Sequence, residues 1–240
     1  MNKITYVTVI ILLTSLICSI TSCMNNLPVR GNGTIIKKEI QLKEFEKIEL
    51  DGIFKVFLKQ GDKAKLEVET DENLLDCIGA NVRNSKLTIK LKKPVHSTKG
   101  INIYLTFNKI NNLEVLGHSY VVSSDRLNFV RLDMAVSGTS KMIAEVNAVS
   151  LKMEASGNSS VKFSGNVFSA DIAASGTANI DAASMNIDDL KLSVSGNAAT
   201  MVNVINTFDV NASGNAQVLY KGTPDMKESV SGNATVNKKY

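Results

Sequence analysis

Histidines and neighbouring carboxylates, which often carry out catalysis, are few in this chain of 240 residues, and they lie far apart. The two histidines are His96 and His118, and one pair of neighbouring carboxylates, Asp188 and Asp189, occurs in the repeated part of the sequence. A polysaccharide hydrolase or lyase needs clustered carboxylates, or a base held beside a cation. Isolated histidines and an acidic pair in a loop are more often solvated surface residues. We therefore predict that the protein is not an enzyme.

Serine stands directly before glycine seven times in the second half of the chain, and six of these pairs recur at a nearly fixed step. Nucleophilic catalysis would need one serine activated by an adjacent base, and no histidine accompanies these pairs, so we interpret the serines as hydrogen-bonding corner residues. The arginines that could neutralise an acidic sugar all lie outside the repeats: Arg30, Arg83, Arg126 and Arg131. Cys77 is expected to be a buried apolar residue. No phosphate-loop, dinucleotide or zinc spacing is present, so neither a cofactor nor a metal is expected.

Residues 1–23 have the features of a bacterial export signal. Lys3 provides the positive start, residues 4–20 are mostly apolar, and small polar residues follow. The stretch 20–23, Ile-Thr-Ser-Cys, resembles the bacterial lipobox, which implies cleavage before Cys23 and lipidation of its thiol. An ordinary leader with a chance cysteine is the alternative. We predict a signal peptide over 1–22 and a lipidated Cys23 that begins a tether over 23–30.

The predicted anchor would attach the chain to a membrane without spanning it. No second apolar stretch of about 18 residues follows the leader. The acidic residue that retains some bacterial lipoproteins at the inner membrane is absent directly after Cys23, where Met24 stands. We therefore expect a cell-envelope protein anchored at the outer membrane, and both the cell surface and the periplasmic face stay open.

Internal repetition is the strongest signal in the chain. The glycines of the six regularly spaced Ser-Gly pairs follow one another at steps of 19, 19, 20, 18 and 18 residues, and Asn or Thr comes after each of these glycines. Apolar residues recur at every second position on both sides of the corner, as expected for strands with one buried face. The predicted corner glycines are Gly138, Gly157, Gly176, Gly196, Gly214 and Gly232.

A step of this length is too short for a repeat made of two helices and fits one coil of a parallel β-helix. We predict an all-β fold of this kind with about 18–21 residues per coil, right-handed as parallel crossovers usually are. Five residues before each glycine, the charge alternates in sign. These positions predict a charge ladder that helps to fix the register of the coils, made of Asp133, Lys152, Asp171, Lys191, Asp209 and Lys227. The lysine in every gap argues against calcium binding by the aspartates.

The N-terminal half is less regular but also rich in strands. Residues 48–56, 87–92 and 101–105 alternate between apolar and polar side chains. Residues 71–78 are the one plausible helical turn, with Thr70 as a candidate cap. Residues 94–100 are expected to form a loop. Because no linker separates the halves, we predict one continuous domain over 31–240.

The composition excludes several classes of protein. The net charge of +4 is too small for a dedicated nucleic-acid binder. Two of the three cysteines lie in the leader, so no structural disulfide is expected.

Charged residues at 237–240 should discourage stacking of a second molecule on the last coil, although a partner coil docking there is the alternative.

The whole pattern resembles the auto-transporter adhesin head domain family, also called the GIN domain, of lipid-anchored envelope proteins in Bacteroides-type bacteria. The resemblance covers about residues 36–236. The matching stretches are 45–48, 50–56, 60–62, 66–68 and 71–75, followed by the serial Ser-Gly-Asn/Thr corners. The resemblance implies a β-helical fold and an adhesin-like role, and it implies no particular catalytic or binding residues.

Three functions remain open from the sequence. The first is a non-catalytic envelope lipoprotein whose β-helical surface binds a glycan or a protein, alone or as an oligomer. The second is a structural or assembly lipoprotein that faces the periplasm. The third is a carbohydrate-active enzyme, since other β-helices carry such activities. Few aromatic residues are available for stacking on sugars, so binding to a glycan would be weak at each site and would depend on avidity.

Overall fold

The computed structural model describes residues 27–239, so the predicted signal peptide and Cys23 lie outside the described residues. Within this range the chain is nearly all β-structure, with one 3₁₀ helix at Glu72–Cys77, and no helix is long and apolar enough to cross a bilayer. The strands are β1 Val29–Arg30, β2 Ile35–Ile40, β3 Lys47–Gly52, β4 Lys55–Gln60, β5 Lys65–Asp71, β6 Ile78–Arg83, β7 Lys86–Leu91, β8 Val95–His96, β9 Asn102–Phe107, β10 Asn112–Gly117, β11 Tyr120–Ser123, β12 Leu127–Val136, β13 Lys141–Ala155, β14 Ser160–Ala174, β15 Asn179–Val194, β16 Ala199–Ala212, β17 Gln217–Lys221, β18 Asp225–Val230 and β19 Thr235–Lys238.

The second half of the chain winds into stacked coils whose strands pair in parallel. Met142 pairs with Val161, Val161 with Ile180, and Ile180 with Thr200, so one position repeats from coil to coil. The coils are about 19 residues apart and make about seven turns. The prediction of an all-β parallel β-helix is confirmed, while its handedness stays a prediction.

Columns of apolar side chains fill the interior of the coils. Side chains alternate between the two faces of a strand, so the same offset from the corner points inward in every coil. One fully inward column is Leu132, Leu151, Ala170, Leu190 and Phe208. Burying side chains of this size stabilises a fold by roughly 1.5–3 kcal/mol each, which makes these columns the main source of stability.

The first coils do not stack in the order in which they occur in the chain. Strand β3 lies between β7 and β10, and β4 lies between β9 and β11, so the coil of β3 and β4 separates two coils that follow it in sequence. Lys86 of β7 bridges this stack, with its Nζ 2.5 Å from Glu49 of β3 and 2.9 Å from Glu114 of β10. These two carboxylates raise the pKa of Lys86, the hydrogen bond to Glu49 contributing most.

The N-terminal end of the solenoid is closed by antiparallel pairing, which the sequence analysis did not anticipate. Strand β6 pairs antiparallel with β7, and β5 pairs antiparallel with both β2 and β9. Asn84 and Ser85, which join β6 to β7, both have positive φ, as a two-residue hairpin turn requires. At this end the parallel β-helix is therefore closed by a cap that contains both antiparallel and parallel strand pairs. Residue 31 does not begin a regular coil.

The helical turn predicted over 71–78 is a 3₁₀ helix at Glu72–Cys77, and the predicted capping role of Thr70 is wrong. Asp71 occupies the position before the helix but makes no side-chain cap hydrogen bond. Its buried carboxylate instead accepts hydrogen bonds from Ser97, Thr98 and the backbone N–H of Gly33. These contacts fasten the N-terminal segment and the 94–100 loop to the cap. That loop includes β8, which pairs with β1 at the end of the predicted tether. The domain boundaries themselves stay a prediction.

The C-terminal coil is open to solvent. Every residue of β18 is exposed, including Met226 and Val230, which occupy positions that are buried in the preceding coils. Glu228 pairs with Val210 and therefore stands at an inward position that is apolar in those coils. An inward-pointing charge on an edge strand opposes the stacking of another strand.

Candidate functional site

The predicted corner glycines form one continuous column. Their φ angles lie between +70° and +76°, a range that side chains other than glycine rarely adopt. A Cβ atom on any of them would meet the backbone of the glycine one coil earlier, and the carbonyl of that glycine accepts the N–H of the Asn or Thr after the corner. The column continues through Gly117 to Gly52. These residues shape the coil by allowing the backbones of neighbouring corners to approach closely.

The corner serines contribute backbone groups to this arrangement. The N–H of Ser156 donates to the carbonyl of Val136, and the N–H of Ser175 donates to that of Ala155. Within residues 27–239, the hydrogen bonds found at the Ser-Gly serines come from their backbone and not from their hydroxyls. The serines of the six corners are partly or fully exposed, so a partner can reach their hydroxyls.

The charge-ladder residues lie in register. Asp133 pairs with Lys152, Lys152 with Asp171, and Asp171 with Lys191, and the row continues through Asp209 to Lys227. No direct ion pair joins ladder neighbours among the described residues. Lys152 contacts Glu154 at 3.3 Å instead, and Asp133 contacts Arg131 at 3.1 Å. The ladder can act only through longer-range attraction, so its contribution to coil register stays a prediction.

The residues considered for catalysis do not come together. His118 is exposed beside the hydroxyl of Thr139, and His96 is exposed in β8. Asp189 accepts a hydrogen bond from Thr207 at 2.6 Å. Cys77 is buried. In the part of the chain that the structure describes, no group of three His, Cys, Asp or Glu residues could hold a metal ion.

An exposed row of asparagines runs along the solenoid and was not identified from the sequence. Each amide contacts the amide of the neighbouring coil: Asn147 donates to Asn128 at 3.3 Å, Asn186 to Asn166 at 3.0 Å, and Asn203 to Asn186 at 2.9 Å. Asn166 closes the remaining gap by donating its backbone N–H to Asn147 at 3.0 Å. Each side chain still has an amide hydrogen or a lone pair that can meet a ligand. We call this row the amide ladder: Asn128, Asn147, Asn166, Asn186 and Asn203.

Two residues after each of the first three of these asparagines, a large apolar side chain is exposed. Val130 is 79% exposed, Val149 55% and Phe168 58%. The strand pairs on either side of these residues are in register, so the three stack on consecutive coils. Residues two apart in a strand point to the same side, about 6–7 Å apart. The two rows form one surface, here called the amide–apolar face: Asn128, Asn147, Asn166, Val130, Val149 and Phe168.

The sequence does contain the signal for this face. The asparagines of the first four coils stand ten residues before their corner glycines, and the exposed apolar residues stand eight before. The alternation changes phase there, because Val149 and Ser150 are both exposed while Ala148 and Leu151 are buried. Both rows appear when the coils are aligned on their corner glycines and the alignment is continued past this change of phase.

The coils and their outer rows define a class of protein, the β-solenoid with a regular exposed face. Residues 44–224 match the family described as "Putative auto-transporter adhesin, head GIN domain". Because the match covers more than half of the chain, the protein belongs to this family, and the resemblance seen in the sequence is confirmed. A comparison with curated proteins gives no match.

Several solved structures have the same fold. A protein of Bacteroides fragilis named "putative adhesin" is 22% identical, with a TM-score of 0.80 over 88% of this chain and 98% of that one. A protein of Parabacteroides distasonis with the same name is 22% identical, with a TM-score of 0.74 over 89% and 100%. Another from that organism, named "Putative lipid binding protein", is 22% identical, with a TM-score of 0.71 over the same shares. Identities at this level establish a shared fold.

Proposed function

We propose that this protein is a non-catalytic lipoprotein of the cell envelope whose solenoid presents an adhesin-like binding surface to a glycan or a protein. The family and its adhesin-like neighbours support an envelope or surface role. The lipid anchor at Cys23 and its location in the outer membrane are part of the proposal and rest on the lipobox-like stretch alone.

The observation that carries the proposal is the regular outer surface formed by the amide ladder. Asparagine is a poor strand former, and its amide can form hydrogen bonds outside the sheet as well as within the ladder. The same contact group is repeated on consecutive coils at about 4.8 Å. A surface of this kind suits an extended partner, which can add weak contacts along the solenoid.

A lipid ligand is the second candidate, favoured by the name of the second Parabacteroides distasonis protein. Fully buried side chains such as Phe163, Ile180 and Phe208 line the interior of the coils. An acyl chain would therefore have to lie on an outer face. The exposed apolar residues there are few, so the adhesin-like reading is preferred.

To test the proposal, the purified full-length protein is incubated with a panel of polysaccharides. Retention of each polymer by the protein and the release of new reducing ends are both measured. The proposal predicts that at least one polymer, or an envelope or host protein on a blot of cell-surface extract, is retained without being changed. Release of reducing ends or unsaturated sugars would identify an enzyme and overturn the proposal. Co-purification with a periplasmic partner alone would establish the structural or assembly alternative.

A further inference from the structure

We infer that the amide–apolar face is the contact surface for an uncharged, extended polysaccharide that runs parallel to the solenoid axis. The inference rests on the proposed function and names the class of partner. The family description assigns neither a ligand nor a binding face to this chain.

The face is electrically neutral over three consecutive coils. Its two rows contain only asparagine, valine and phenylalanine. Two ion pairs flank it: Arg126 contacts Glu145 at 2.6 Å, and Arg131 contacts Asp133 at 3.1 Å. A polyanion or a polycation would gain no attraction at this surface and would lose part of its hydration.

The two rows match the two kinds of surface on a neutral sugar. Hydroxyl groups donate and accept hydrogen bonds, as the asparagine amides do. The C–H surfaces of a sugar ring are apolar and can cover Val130, Val149 and Phe168, which are otherwise exposed to water. Because the rows lie about 6–7 Å apart, one sugar ring can reach both.

The dimensions of the face favour a narrow partner. The three apolar residues expose roughly 300 Å² together, judged from the size of such side chains. A stable protein interface buries about 800 Å² on each partner, so a second copy of this chain or another globular protein would need much more surface than the face offers. An extended polymer needs only a strip, and each coil repeats the contact after about 4.8 Å.

The face ends where the rows are broken. At the fourth coil Asp188 occupies the position that corresponds to Phe168, as the flanking pairs Val167–Ile187 and Ser169–Asp189 indicate. The carboxylate of Asp188 interrupts the apolar row before Ile205, which is again 46% exposed. The polymer contact is therefore limited to the three coils that carry Val130, Val149 and Phe168.

Two exposed side chains provide a matched test. Phe168 is 58% exposed on the face, whereas Ile53 is 59% exposed and lies outside it. The full-length chain, Phe168→Ser and Ile53→Ser would be run in native gels containing arabinoxylan, galactomannan, mannan or polygalacturonate. Retardation of the band gives the dissociation constant for each polymer, and thermal unfolding confirms that each variant is folded.

The inference predicts that at least one neutral polymer retards the wild-type chain, that Phe168→Ser weakens this binding about tenfold, and that Ile53→Ser changes it less than about twofold. Val149→Ser should weaken binding in the same direction. Equal retardation of the Phe168 and Ile53 variants would overturn the inference and leave the proposed binding function standing. Retardation by polygalacturonate alone, or Phe168-dependent capture of a protein or of phosphatidylcholine vesicles without neutral-polymer binding, would also overturn it. The proposed function fails separately, if the chain cleaves the polymer.

Discussion

Gly157 lies directly against Gly138 of the preceding coil, so that a Cβ atom on Gly157 would stand 2.8 Å from the carbonyl oxygen of Gly138. The same carbonyl accepts the N–H of Asn158 at 2.8 Å. Close approach of two backbones and a positive φ therefore coincide at one residue. This coincidence explains why the corner needs glycine in every coil.

Gly157→Ala should lower the free energy of unfolding by about 2–4 kcal/mol, because the left-handed conformation costs an alanine about 1–2 kcal/mol and the backbone contact adds to it. Urea unfolding measures the change. Gly33→Ala is the control, since Gly33 also has a positive φ but has nothing within 4 Å of its Cβ position. If the two variants lose the same free energy of unfolding, the contact of Gly157 with the preceding coil contributes nothing to stability.

Asp71 should make the stability of the N-terminal cap depend on pH. The hydrogen bond from Ser97 is the largest cause that holds the pKa of the Asp71 carboxyl well below its ordinary value of 3.8, and the bonds from Thr98 and Gly33 add to it. A lowered pKa in the folded state gives stability that is fully present above the unfolded value and is lost as the pH falls toward the folded one. Asp71→Asn should therefore melt at a lower temperature near neutral pH and approach the wild type below about pH 4.

The measurement for Asp71 is thermal unfolding of wild type and variant from about pH 7 to about pH 2. Asp62→Asn is the control, because Asp62 is exposed in a turn. A difference between wild type and Asp71→Asn that stays constant over this range would contradict a role for the ionised carboxylate.

The charge ladder should show a small favourable coupling between adjacent coils. A double-mutant cycle of Asp171→Asn and Lys191→Gln should give less than about 1 kcal/mol, because both side chains are exposed, and added salt should reduce it. The same cycle with Asp133, three ladder positions from Lys191, should give no coupling. A coupling of zero between Asp171 and Lys191 would show that the charge ladder does not help to fix the register of the coils.

Glu228 should keep the last coil from associating with a second molecule. Glu228→Val replaces the inward charge of β18 with an apolar side chain beside the exposed Met226 and Val230, which completes an apolar edge. Sedimentation velocity should then show association that increases with protein concentration. Ser229→Val, on the outward side of the same strand, should sediment like the wild type. Monomeric behaviour of Glu228→Val at all concentrations would show that other features protect this edge.

The regular part of the fold could be predicted because its determinants are local. The offset from each corner glycine identifies the buried side of a strand, and adjacent coils repeat it, so the pairing of Met142 with Val161 follows from the sequence. The order of the first coils could not be predicted, because the alternation in 47–60 and 86–107 marks strands without marking their neighbours. The hydrogen bonds of Asp71 were missed for a similar reason, since Ser97 and Thr98 lie far away in the chain.

The candidate site was missed for a different physical reason. Carboxylates, histidines and serines show their chemistry singly in a sequence, whereas the amide–apolar face consists of residues that are unreactive one by one. Asn147 and Val149 acquire a common role only because stacking repeats them at a fixed spacing. The change of phase between Val149 and Ser150 also hid the exposed row from a search that assumed uninterrupted alternation.

The proposed adhesin-like role requires the binding surface to lie outside the cell, and protease treatment of intact cells tests this requirement most directly. The cells would produce the full-length chain with an epitope tag after residue 240, together with a soluble periplasmic protein as the control. We predict that the tag is lost while the periplasmic control survives, and that Cys23→Ser releases the protein from the membrane fraction. Protection of the tag until the outer membrane is opened would contradict the adhesin-like role and favour a partner in the periplasm.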